Sequence, residues 1–137
     1  MVTTTEVGAG AMRRLDKAVA ARAAVGDPSF RLLIDTMHFF RFGGTIADLR
    51  ALDPAAIGHV QLCDVPMPAQ GGDYADEALY ERRAPGDGDL PLADFVGLVP
   101  PEVAIGLEVP IRSQADAGIG PRERMASCLE KARALPG

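Results

Sequence analysis

The sequence predicts an α/β fold: a partial (β/α)8 TIM barrel of parallel strands, about four βα units long. Three observations point there. Four short β-type runs alternate with helical stretches, the rhythm of a parallel sheet. Right-handed crossovers curl such units into an arc. The 137 residues are close to half of the ~250 that a full barrel takes.

Each element has a local cause. Residues 2–7, carrying three threonines, form the first run. Residues 12–25 are alanine-rich, with Leu15, Ala18, Val19 and Arg22 at helical spacing. Gly26-Asp27-Pro28 ends that helix, because Gly suits the C′ position and Pro cannot continue the ladder. Residues 30–34 are apolar apart from Arg31, which suits a buried parallel strand. Thr45 can cap a helix that runs to residue 52, with Asp48 three positions on. The third strand covers residues 57–63. Residues 65–88 are rich in Pro, Gly and acid; that is long for a structureless connection and marks a lid or binding loop, with room for a helix over 74–83. A short helix follows at 90–98, a fourth strand at 103–109, and a terminal helix at 121–134 with Pro in its first turn. The chain 1–137 reads as one domain.

Composition narrows the function. Apolar residues make up 47% of the chain, enough for a core. Asp and Glu outnumber Lys and Arg 19 to 14, for a net charge of −5, which argues against nucleic-acid and membrane partners. No apolar run approaches the ~18 residues of a membrane span, and the start has no basic segment leading into an apolar one, so no signal peptide is expected. Cys63 and Cys128 lie 65 positions apart and read as reduced, buried thiols in a cytoplasmic protein.

The informative feature is what ends each strand. The first ends near Glu6, the second at Asp35 with His38 just beyond. The third carries Gln61 and then Asp64, and the fourth ends near Glu108. Reactive groups of a barrel gather at these C-terminal ends. Carboxylates and amides are costly to bury there unless paired or bound to a cation. A divalent cation answers that need, and oxygen ligands suit Mn²⁺, Mg²⁺ or Co²⁺. Each residue also admits a structural reading: Asp35 as a helix or turn cap, Gln61 as a satisfied core amide, His38 as a turn histidine, Glu6 as a solvated terminal group. His59 reads as structural, and Arg41, Arg82 and Arg112 as either functional or solvated.

The motifs LLIDTMHFFRFGGTIADLRAL, IGHVQLCD, RRAPGDGDLPL and GLEVP occur in this order. Together they resemble the C-terminal half of the sugar phosphate isomerase/epimerase family with the xylose-isomerase-like TIM barrel, over residues 5–135. Asp35, Gln61 and Glu108 stand 26 and 47 positions apart. The resemblance implies a divalent metal held by Glu6, Asp35, Gln61 and Glu108. Gln as the third ligand is similar to the 3-dehydroshikimate dehydratase-like branch. It also implies that His38 contacts substrate and handles a proton, and that Arg82 supplies a cation to a substrate carboxylate or phosphate. Where sugar epimerases of the family often carry an Arg, this chain has Met67.

The implied chemistry is proton abstraction next to a carbonyl of a small polyol, sugar or hydroxy acid, through a metal-stabilised enediolate. Glu6 and Glu108 would exchange the proton in an isomerase or epimerase. Loss of a β-hydroxyl would make the same site a lyase, a dehydratase. A third reading is an inactive half-barrel or assembly module. Half of a closed sheet leaves two edges and an inner face uncovered, so a homodimer or another half-barrel is the expected protein partner. A metal-dependent nuclease of the related endonuclease fold is disfavoured by the acidic charge.

Overall fold

The computed structural model describes residues 3–7 and 14–136. Four strands form one parallel sheet in the order β1-β2-β3-β4: β1 (Thr3–Val7), β2 (Phe30–Asp35), β3 (Ile57–Leu62) and β4 (Ala104–Leu107). Helix α1 (Leu15–Val25) links β1 to β2. After β2 come α2 (Thr36–Arg41) and α3 (Ile46–Ala51), then a 3-10 turn at Pro54–Ala56. The segment after β3 holds α4 (Tyr74–Tyr80) and α5 (Leu92–Val96). After β4 come α6 (Arg112–Asp116) and α7 (Pro121–Ala134). The order is the expected succession of βα units, and the sheet is open, with β1 and β4 as its edges.

Local signals account for several boundaries. Gly26 ends α1 in the left-handed region at φ 68°, its N–H closing onto the Arg22 carbonyl. The Thr45 hydroxyl accepts from the Asp48 N–H while the Asp48 carboxylate accepts from the Thr45 N–H, a reciprocal cap at the start of α3. Residues 12 and 13, expected in the first helix, lie outside the described residues. Helices α2 and α6 were not expected; both are short. Helix α2 forms because the Asp35 side chain caps it and five of its six residues are buried, which packing rather than periodicity enforces.

The sheet has two unlike faces. Leu32, Ile34, Val60 and Leu62 point toward the helices and are essentially inaccessible. Leu33, His59 and Gln61 point the other way and are only partly covered, as expected of the inner face of a barrel arc. On the helical side Phe39, Phe40 and Phe95 meet edge-on or tilted, with ring centroids 5.0–6.0 Å apart. Burying each such ring is worth about 2–3 kcal/mol. Among the described residues no helix is long and apolar enough to cross a membrane.

Candidate metal centre at the strand ends

Register decides which polar residues meet. Asp35 pairs directly with Gln61 across β2 and β3, and Gln61 with Gly106 across β3 and β4. Glu108 follows β4, its N–H donating to the Leu62 carbonyl at 3.2 Å. The ends of three neighbouring strands therefore carry Asp35, Gln61 and Glu108. Glu6 is in register with Leu33, on the strand beyond; its side chain lies outside the described residues. His59 sits two positions before Gln61. Its Nε2 is 3.1 Å from where a Gly106 side chain would begin, so glycine there makes room for the ring.

Asp35 is fully buried and does two jobs at once. One carboxylate oxygen accepts the His38 N–H at 3.0 Å, capping α2. The other accepts from Arg82 Nη1 at 2.6 Å. Asp35 therefore caps α2, as its structural reading expected, and pairs with Arg82 as well. Arg82 is not solvated: it is 3% exposed and ties the strand ends together. Its Nε donates to the Ala78 carbonyl at 2.9 Å and its Nη1 to the Glu108 carbonyl at 3.4 Å, while its Nη2 lies 3.9 Å from Glu108 Oε1. The Glu108 side chain is 42% exposed. Arg82 Nη2 is also 3.4 Å from His38 Nε2. The other ring nitrogen of His38 hydrogen-bonds the Tyr74 hydroxyl, so Tyr74 belongs to the site. Nothing in the sequence singled Tyr74 out, because it arrives from the long segment 36 positions away.

Arg41 and Arg112 are clamps. Arg41 forks onto Glu77 at 2.7 and 2.9 Å and donates to the Pro66 carbonyl and the Met67 sulfur. The Arg112 guanidinium lies 3.7 Å over the Tyr80 ring. Asp64 is an anchor: its buried carboxylate accepts the N–H groups of Val65, Gly86 and Leu90 at 2.9–3.0 Å. Gly88 packs so close that a Cβ there would stand 2.3 Å from Asp64 Oδ1. The stretch at residues 82–88 is thus part of a backbone cradle for Asp64 as well as the carrier of Arg82.

Cys63 is buried against the same cluster, its sulfur 3.6 Å from Arg82 Nη1 and 3.7 Å from the Thr36 hydroxyl. Both cysteines are free and buried, as expected. Burial, reinforced by the Asp35 charge, pushes the Cys63 thiol from 9.0 up to about 11. A raised thiol value supports the fold below the unfolded value, and that support fades as pH climbs from 9.0 toward 11. Cys63 is therefore expected to resist iodoacetamide in the folded protein at pH 8 and to be alkylated once urea unfolds it, as peptide mass mapping would show. Rapid native labelling would contradict its placement.

The donors fit a hard divalent cation. Asp35, Gln61 and Glu108 offer oxygen, the donor type such a cation takes. Among the described residues no three His, Cys, Asp or Glu side chains gather into a metal site. A cleft of about 520 Å³ lined by Gln70, Glu81, Arg82, Arg83, Ser113 and Gln114 borders Arg82 but not Asp35, Gln61 or Glu108.

Parallel βα units with polar groups at the C-terminal strand ends define a partial TIM barrel. A family model for the xylose isomerase-like TIM barrel matches residues 3–131, and the chain belongs to that family. No curated protein matches the sequence significantly. Similar solved structures include the IOLI protein with a bound zinc atom, at TM-score 0.70 and 19% identity over 88% of this chain and 42% of that one. A xylose isomerase-like TIM barrel/4-hydroxyphenylpyruvate dioxygenase fusion protein gives TM-score 0.67 and 19% identity over 100% of this chain and 24% of that one. A xylose isomerase domain protein from Alicyclobacillus acidocaldarius subsp. acidocaldarius gives 0.54 and 24% over 86% and 44%. The chain thus spans less than half the length of each.

Proposed function

We propose that this chain carries the metal-binding face of a divalent-metal-dependent isomerase or epimerase acting on a small sugar, sugar phosphate or related polyol. The observation that carries this reading is the convergence of Asp35, Gln61 and Glu108 at the ends of three adjacent strands, with Asp35 and Gln61 in direct register. The zinc atom in the IOLI structure supports a divalent metal. The metal would be held by Asp35, Gln61 and Glu108, with Glu6 as a fourth ligand, and would polarise the substrate's neighbouring oxygens as a Lewis acid.

The chain's own groups then have distinct tasks. Glu108 is half-exposed at the mouth of the site, so its carboxylate can reach a substrate C–H and take the proton. Glu6 is the proposed partner on the far side, returning a proton to the neighbouring carbon. His38, held by Tyr74 through one ring nitrogen and with the other 3.4 Å from Arg82 Nη2, would orient a substrate hydroxyl. Arg82 supplies positive charge where a substrate carboxylate or phosphate would sit.

The test is Mn²⁺ binding by isothermal titration. Glu108→Gln and Asp35→Asn should each weaken it by about tenfold or more, since each removes a charged ligand while keeping shape. Unchanged affinity in both variants would refute the site.

A further inference from the structure

We propose that Arg82 is a built-in competitor for the divalent cation, its guanidinium occupying the space between Asp35 and Glu108 that a shared metal would enter. This inference rests on the metal reading above. Carboxylates gathered at strand ends require positive charge, and the fold already supplies one. Arg82 Nη1 is 2.6 Å from Asp35 Oδ2, and Nη2 is 3.9 Å from Glu108 Oε1. The first of these ion pairs has both partners almost fully buried, where charges are poorly screened.

The geometry specifies which contact must yield. Asp35 Oδ1 is committed to the His38 N–H that starts α2, so Oδ2 is the oxygen available to a metal, and Oδ2 is where Arg82 sits. Coordination at about 2.0–2.3 Å would set a divalent cation against the Nη1 group. Two cations cannot share that space without strong repulsion, so the metal enters as the guanidinium withdraws. Arg82 can yield without releasing its segment, because its other anchors do not involve the carboxylates. Its backbone N–H donates to the Pro110 carbonyl at 2.9 Å. Its segment is separately moored by Asp64. Metal affinity is thereby coupled to the position of residues 65–90.

The experiment is titration of Mn²⁺ into the full chain and into Arg82→Met and Arg82→Lys. Methionine keeps an unbranched apolar stem and removes the charge; lysine keeps the charge on a single ammonium. Arg82→Met should bind Mn²⁺ about tenfold tighter or more than the parent, and Arg82→Lys should lie between them. A second measurement uses the unaltered chain, in case Arg82→Met folds poorly. On titration with diamagnetic Zn²⁺, the Arg82 guanidinium N–H signals in NMR spectra should shift from their buried positions in step with metal uptake. Equal or weaker binding by Arg82→Met, or Arg82 signals that stay fixed at saturating Zn²⁺, would overturn the competition while leaving the metal site intact. Absence of metal binding in every form would overturn both proposals.

Discussion

Asp64→Ala is expected to lower the unfolding free energy by about 3–5 kcal/mol, one of the two largest effects in the molecule. Asp64 is 1% exposed and its carboxylate satisfies three backbone N–H groups, those of Val65, Gly86 and Leu90. Each donor left buried without an acceptor costs about 1–3 kcal/mol, and hydrogen bonds to an ionised acceptor are the stronger kind. The loss falls on residues 64–90, which carry Tyr74 and Arg82, so the variant should also be cut faster by protease in that segment. Gly88→Ala attacks the same cradle from the other side, since its Cβ would meet Asp64 Oδ1 at 2.3 Å and the Val65 carbonyl at 2.6 Å. Urea unfolding checks both; a change below about 0.5 kcal/mol in either, the range of an ordinary surface substitution, would contradict this role.

Asp35→Ala is expected to cost a similar ~3–5 kcal/mol in the absence of metal, for a different reason. It strands the Arg82 guanidinium, 3% exposed, without its carboxylate partner, and removing one member of a buried pair is far worse than removing both. It also removes the cap of α2, worth about 1 kcal/mol. Combining Asp35→Ala with Arg82→Met should recover a large part of the loss, because the orphaned charge disappears. A double-mutant cycle in urea measures that coupling. Additive losses would contradict the buried ion pair. Asp35→Asn, which keeps the shape and an acceptor for the His38 N–H, is therefore the better substitution for reading metal affinity.

The fold was legible where its causes are local. The Thr45–Asp48 cap, the Gly26 stop and the Pro121 start each act within a few residues, and α3, α1 and α7 end or begin where those signals stand. The strands were legible because burial on the helical face needs Leu32, Ile34, Val60 and Leu62. Helix α2 was not, since six residues carry too little periodicity and the D-x-x-H spacing reads equally as chemistry and as a cap. It is both. The site was half legible. Strand ends identify Asp35, Gln61 and Glu108 by position alone, and register then aligns the first two. The destination of Arg82 was not legible, because its contact with Asp35 spans 47 positions and depends on how the long segment folds back. Tyr74 and Asp64 were missed in their actual roles for the same reason: one reaches His38 and the other gathers N–H groups up to 26 positions away.

The most direct test of the central claim is a crystal of the full chain soaked in Mn²⁺, with the ion located by its anomalous scattering. The account predicts a single peak at the strand ends, within about 2.0–2.3 Å of oxygen atoms of Asp35, Gln61 and Glu108, with Arg82 Nη1 moved off Asp35 Oδ2. Saturating Mn²⁺ that leaves those three side chains without a peak, or a peak held by other residues, would contradict it.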